Sequence, residues 1–474
     1  MAHLNSVRLR EDVKLELVYD DQTPWGCGFT GLSDALLRRS CGALEAVVAR
    51  EGMDALQIQA QRWMPEVMGP RALGSLYTSP ERLRETCVYP PASKVRPAAL
   101  DVFVPHEDGM RTTRLLLCTE QAASLAPWVG AWQRGGARPQ HGGAAALWDR
   151  LMEAGAFEAP REPVQPLGEG ITFVGHAAVA MREADTELLF DPFLLPPSKA
   201  DPATMRPHTA CDLEPSAVFV THSHPDHFDI PTLLRLGHDT PIYVPAVERE
   251  SLLATDMVLR LRELGFTAVR SLAWFDEVTV GPYRVVALPF YGEQPTDSHM
   301  LHPEARNLGN TYVVEGRDHR VALLADAGRD AAGDTIEMAA DARARYGAVD
   351  YVFGGYRAWR LQPIRYLFSS VARYLLFVPP EARTRWQTIM NDADDLVATA
   401  AAWGARSVVP YANGGAPWFA RIRLGPHGNP DRPDDPRIDP SIANVERAIA
   451  ASEADLELFA MKTGQCAAPA RANH

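Results

Sequence analysis

The segment that most restricts the fold is Phe219-Val220-Thr221-His222-Ser223-His224-Pro225-Asp226-His227-Phe228-Asp229. It follows the apolar run Ala217 to Val220, which reads as a short, fully buried strand. Four side chains able to bind metal therefore crowd the end of one strand. His222 and His224 are two apart and point the same way from an extended loop, so both can reach one ion. Asp226 and His227 turn toward a second position. Neutral imidazole and carboxylate are the donors expected for zinc or iron. The bland alternative is a surface loop that happens to be rich in histidine, but the ordering and the strand-end placement argue against it.

The surroundings of that loop alternate between hairpins and helices. Ile171 to Ala180 and Glu187 to Phe190 read as a hairpin. Further strands are expected at Pro241–Val244, Thr279–Leu288, Asn310–Glu315, Val321–Ala325, Tyr351–Phe353 and Ser407–Val409. Helices are expected at Val247–Leu264 and Asn391–Trp403, and a surface loop at Pro426–Pro440. This rhythm predicts an α/β sandwich, two sheets covered by helices. Residues 1–165 have another texture. An alternating segment from Val7 to Leu17 suits a half-buried strand, helices follow at Leu32–Glu51 and Gly143–Ala154, and a strand at Arg114–Cys118. Three prolines between Ala159 and Pro166 mark a linker. The chain is thus read as an α+β N-terminal domain, residues 1–165, and a second domain, residues 166–474.

Composition excludes several classes of partner. A net charge of −13 disfavours an electrostatic grip on nucleic acid or on an anionic membrane. No run of eighteen apolar residues is present, so no transmembrane helix is expected. The N-terminus shows no apolar secretory stretch, and the six cysteines (27, 41, 87, 118, 211 and 466) have no C-x-x-C spacing. Both features predict reduced thiols and a cytoplasmic location.

The H-x-H-x-D-H run resembles that of the metallo-β-lactamase superfamily. Ile171-Thr172-Phe173-Val174-Gly175-His176-Ala177 and Leu189-Phe190-Asp191-Pro192 are similar to its opening hairpin, and Ala325-Asp326-Ala327-Gly328 sits where its bridging aspartate occurs. The resemblance covers roughly residues 168 to 420 and implies an αββα sandwich with metals at one edge, between the sheets. Two departures matter. Where the hydrolases of that superfamily carry a third histidine, this chain reads Leu288-Pro289-Phe290-Tyr291-Gly292-Glu293, so the available donor is Glu293 unless that residue is only a solvated loop acid. Where they carry a late histidine, it reads Val409-Pro410-Tyr411-Ala412-Asn413. Tyr411 and Asn413 are weak ligands, pocket hydrogen bonders, or residues that only shape the loop. His299 and His302 are alternative donors, and His176 and Asp191 are read as groups that orient the ligands.

A carboxylate in place of imidazole is harder and adds charge. Asp226, Glu293 and Asp326 together better balance two ferric ions than two zinc ions. The Glu293 departure and the additional N-terminal domain resemble the chloramphenicol-type di-iron β-hydroxylases, tailoring oxygenases of nonribosomal peptide and natural-product biosynthesis. That resemblance implies one iron on His222, His224 and Glu293, a second on Asp226 and His227, and Asp326 as the bridge. It also implies O2 and an external electron donor, a carrier protein or peptide presenting an amino acid or aminoacyl substrate, and an N-terminal domain that supports dimerisation or carrier docking. The alternative is a binuclear zinc hydrolase of the same superfamily, acting on a phosphodiester, lactone or amide. The aromatic, arginine-bearing stretch from Trp359 to Val378 is either a core-packed helix pair or a lid whose arginines meet an anionic group.

Overall fold

A strand buried on both faces needs one row of side chains for each neighbouring layer, and the strands of this chain supply two such rows. In the computed structural model, which describes residues 7–21, 95–159, 167–194, 208–251, 253–298, 306–358, 360–363, 374, 378–382, 385–412 and 441–467, these rows build two seven-stranded sheets packed face to face. The first sheet has the order β11 (Val269–Leu272), β10 (Ile242–Pro245), β9 (Ala217–Phe219), β8 (Thr186–Phe190), β7 (Ala178–Glu183), β6 (Gly170–Gly175) and β23 (Cys466–Ala467). The second has the order β12 (Glu277–Val280), β13 (Tyr283–Pro289), β14 (Asn310–Glu315), β15 (Arg320–Leu323), β18 (Tyr351–Gly354), β21 (Ser407–Pro410) and β22 (Glu457–Leu458).

Alternation along β13 shows how the layers form. Val285 and Ala287 join the core between the sheets with Phe190, Phe219, Tyr312 and Phe353. Val286 and Leu288 face outward and pack beneath α6 (Thr335–Tyr346), α7 (Ala393–Trp403) and α8 (Ile442–Ala451), where Trp403 is fully buried. The outer face of the first sheet packs against α4 (Ile230–Leu236) and α5 (Met257–Arg262). The result is the αββα sandwich. Among the described residues no helix is long and apolar enough to cross a membrane.

The N-terminal region is β-rich. β2 (Lys14–Asp21), β3 (Val95–His106) and β4 (Gly109–Leu116) form an antiparallel sheet, and β1 (Arg8–Leu9) pairs with β5 (Phe157–Glu158). Between them lie α1 (Thr119–Ala122), α2 (Leu125–Gln133) and α3 (Gly142–Glu153). This region shares one apolar core with the outer face of the first sheet: Leu15, Val102, Val129 and Trp132 belong to the same cluster as Val218, Leu233 and Leu261. Two arginines, Arg235 half-buried and Arg260 fully buried, add polar ties. Arg235 donates to the carbonyls of Arg10 and Val13 and to Gln133 Oε1. Arg260 donates to the Val95 carbonyl at 2.8 Å while pairing with Glu250 and Glu263.

Several elements depart from the sequence expectations. The helix expected over Val247–Leu264 shrinks to α5, because the Ser251 hydroxyl accepts from Leu253 N and Ala254 N in a local turn and Asp256 then caps a new start. The strand expected over Thr279–Leu288 is two strands, broken at Gly281-Pro282, where Gly281 has φ +55°. The twelve-residue β3 was not anticipated, since Pro97 and Pro105 argue against a strand. It tolerates Pro97 because the register with β2 shifts between Val18 and Tyr19, Pro97's partner. The helix expected at Leu32–Glu51, the linker residues 160–166, the loop 426–440, Asn413, His299 and His302 lie outside the described residues.

Removing Arg260 leaves Glu250 and Glu263 without their cation and Val95 without its donor. Arg260→Leu is expected to cost about 3 kcal/mol, the low end for breaking a buried pair, read from urea denaturation midpoints. A pH effect comes from Glu187. Burial pushes its carboxyl up to about 7, although the Glu214 amide and Arg182 oppose this. Its folded-state value thus lies above the unfolded one, so this contribution to stability is full in mild acid and is lost as pH rises toward 7. Glu187→Gln should flatten that dependence, and equal wild-type and variant slopes between about pH 5 and about pH 7.5 would refute it.

Candidate metal centre

Strand ends supply the site. After β9 the chain leaves the sheet at Val220, whose carbonyl accepts from Tyr312 Oη at 2.7 Å, and Thr221 O accepts from Asn310 N at 2.8 Å. These two bonds fasten the histidine loop to the second sheet. Glu293 follows β13, Asp326 follows β15, and His176 follows β6, all at the same edge. Local backbone strain gathers there too: His176, Asp191, Glu293, Ala325, Ala358 and Ala412 all have φ between +43° and +64°.

Three groups of donors converge, in each of which the ligand atoms lie within 4.8 Å of one another: His222, His224 and Glu293; His222, His227 and Asp326; and His176, Asp226 and His227. His222 Nε2 is 2.9 Å and His224 Nδ1 2.8 Å from Glu293 Oε2. His222 Nε2, Glu293 Oε2 and Asp326 Oδ1 are nevertheless buried with no hydrogen-bond partner. His222 belongs both to the group with Glu293 and to the group with Asp326, so buried, unpartnered donor atoms meet on either side of its ring. His227 Nε2 is 3.2 Å from Asp326 Oδ2 and 4.0 Å from Asp226 Oδ2. The residues fit two cations.

Electrostatics agree with that reading. Burial, then the neighbouring His227 and His224, push His222 well below the ordinary imidazole range, so it is a neutral donor. Burial opposes charge on His227 as well, but Asp326, Asp191 and Asp226 outweigh it and hold the group well above the ordinary range. Burial opposes ionisation of Asp226, yet the hydrogen bond from His176 and the nearby imidazoles keep it a carboxylate. A divalent ion at His227 would replace its proton and satisfy the same carboxylates.

A second layer of side chains fixes the donors. Asp191 accepts from Thr221 N and Thr221 Oγ1, each at 2.7 Å, and lies 2.8 Å from His227 Nδ1, which leaves Nε2 to face the site. His176 Nε2 lies 3.0 Å from Asp226 Oδ2. His224, whose Nδ1 faces Glu293, meets Tyr374 Oη with its Nε2 at 2.8 Å. Tyr374 is fully buried and belongs to the aromatic stretch expected to pack as helices or to form a lid; only the fold brings it to a residue 150 positions away. Tyr411 is also buried, and its hydroxyl accepts from Ala325 N at 2.8 Å. It therefore braces the backbone beside Asp326.

Residues 186–411 match the family described as the beta-lactamase superfamily domain. Over that stretch, a little under half of its length, the chain is similar to a β-lactamase superfamily domain. It is 36% identical over 141 residues to the 4-amino-L-phenylalanyl-(CmlP-peptidyl-carrier-protein) 3-hydroxylase of Streptomyces venezuelae, which covers 29% of this chain and 26% of that protein. It is 26% identical over 202 residues to the cytidine monophosphate-N-acetylneuraminic acid hydroxylase of Mus musculus, covering 38% of this chain and 30% of that protein. The chain thus spans less than a third of the length of either relative. The crystal structure of CmlA, a diiron beta-hydroxylase from Streptomyces venezuelae, superposes over 96% of this chain and 98% of that one, with a TM-score of 0.61 and 19% identity. The likeness of fold therefore extends through the N-terminal region.

Asp191→Ala frees His227 Nδ1 and two Thr221 donors. It is expected to weaken metal binding roughly 10- to 100-fold in chelator competition; unchanged affinity would show that His227 needs no such orientation.

Proposed function

We propose that this protein is a di-iron, O2-dependent hydroxylase acting on an amino acid, or on an aminoacyl or peptidyl group held on a carrier protein, in natural-product biosynthesis. One observation carries the reading. Glu293 is only 2% exposed, and one of its carboxylate oxygens lies within 2.9 Å of both His222 Nε2 and His224 Nδ1. Together with Asp226 and Asp326 it makes the donor set harder and more anionic than an imidazole-rich one, which favours iron over zinc. The similarity to two hydroxylases, one named for a carrier-bound substrate, supports the same class of reaction.

His222, His224 and Glu293 would hold one iron, Asp226 and His227 the other, with Asp326 between them. Bound there, the irons would supply the activation of dioxygen and the removal of hydrogen from an unreactive C–H bond. The protein's own part is placement. Burial of His222, His224, His227 and Glu293 keeps bulk water from the donors. Asp191 and Tyr374 hold His227 and His224 in single orientations. The strained turns at Glu293 and Ala325 aim the two carboxylates inward. The electrons come from an external donor, and the N-terminal region is assigned to carrier docking or to pairing with a second copy.

Metal content and an optical spectrum after anaerobic purification test this reading. About two iron atoms per chain, with a near-ultraviolet absorption that develops in air, are expected. Two zinc atoms, a colourless sample and metal-dependent hydrolysis of ester or phosphodiester substrates would overturn it. In the Glu293→His variant we expect metal to remain bound while O2-dependent turnover falls by about 100-fold or more. Full turnover in that variant would remove Glu293 from the centre.

A further inference from the structure

The turn that carries Glu293 is held from several sides: Glu293 N donates to Ile389 O at 2.6 Å, Gly328 N to Tyr291 O at 2.8 Å, and Gln294 ties the turn to a second segment. Glu293 has φ +50° and follows Gly292 at φ +95°, where a Cβ would meet Ile389 O at 2.7 Å and Gly328 N at 2.8 Å. A strained turn of this kind persists only when its surroundings over-determine it. Gln294, the next residue, is 7% exposed and uses its whole side-chain amide within the protein. Its Nε2 donates to Gly292 O at 2.9 Å and to Asn307 O at 3.0 Å, while its Oε1 accepts from Asn307 N at 2.9 Å. A single amide thereby bonds the residue before Glu293 and zips the turn to the segment leading into β14. That segment continues to Gly309, which pairs with His222. Two further bonds complete the clamp. Gly292 N donates to Asp330 Oδ2 at 2.8 Å, and Asp330 is itself paired with Arg306 at 2.6 Å.

We infer that Gln294 is a positioning residue for the metal centre. Its side-chain amide fixes the Glu293 carboxylate against His222 and His224 and couples that carboxylate to the strand that braces the histidine loop. This inference rests on the metal centre proposed above. Both atoms of the Gln294 amide are engaged by Gly292 and Asn307, so the side chain offers no free ligand atom. The inference assigns its effect on the metal to Glu293 rather than to the path through Asn307 and Gly309 to His222, and a further loss that persists in the Glu293→Gln background would overturn it.

The experiment uses the full chain, with cobalt(II) as a probe whose visible spectrum reports its ligands, and measures affinity by chelator competition. The variants are Gln294→Met, which keeps length but loses the amide, Glu293→Gln, and the two combined. Gln294→Met should weaken cobalt binding about 10- to 100-fold and move the visible spectrum in the same direction as Glu293→Gln. In the Glu293→Gln background the further change should vanish, because residues acting through one another are not additive. A merely structural role would lower the melting temperature of metal-free Gln294→Met and leave its cobalt affinity and spectrum at wild-type values; that result would overturn the inference. Should Gln294→Met not fold, Gln294→Glu decides in the same way, since it keeps the acceptor for Asn307 N and loses both donors. Cobalt binding unaffected by Glu293→Gln would instead refute the metal centre itself, and so separates the two failures.

Discussion

Everything at the functional edge depends on holding the Glu293 carboxylate inside the protein within 2.9 Å of two imidazoles. Burying a carboxylate is costly unless a cation or hydrogen-bond donors accompany it. The chain meets that cost with geometry. It pins the histidine loop to Tyr312 and Asn310, orients His227 with Asp191 and His224 with Tyr374, and suspends the Glu293 turn from Ile389, Asp330 and Gln294. The strained backbone at six positions around the site is tolerated because each turn is fixed by packing or hydrogen bonds that the sandwich supplies.

The sandwich makes this possible because its strands end at one edge. Loops after β6, β9, β13 and β15 deliver His176, the histidine loop, Glu293 and Asp326 from two sheets whose common core is a continuous apolar layer. That core is rigid enough to transmit position, since close-packed interiors leave side chains little room to shift. The N-terminal region adds to the same rigidity from outside. Its core merges with the outer face of the first sheet, and Arg235 and Arg260 reach from α4 and α5 to its backbone carbonyls. Any role of that region in docking a partner is therefore played on a surface fastened directly to the sheet that carries the histidine loop.

Much of this was legible in advance, and for physical reasons. His222, His224, Asp226 and His227 announce themselves because metal chemistry needs close donors and the chain provides them within six positions after an apolar strand. Glu293 was legible only by its place after a core strand. The Tyr374–His224 contact, Gln294 and the Asp330–Arg306 pair were not legible, since their partners are far away in sequence or lie on the backbone, which every residue possesses. Element ends failed where a local device competed with periodicity, as the Ser251 turn did in the expected helix and Gly281-Pro282 did in the expected strand.

The sequence by itself determined the kinds of donor available, because donor types and their order are covalent facts: three histidines and an aspartate in one loop, and carboxylates at two later strand ends. It also determined the layered α/β class, through the apolar rhythm of its strands. Tertiary structure alone decided which of these groups meet, which ring nitrogen of each histidine faces inward, and that Glu293 is buried rather than solvated. Those outcomes depend on distances across two sheets and on hydrogen bonds to backbone atoms, and no local pattern of residue types encodes either.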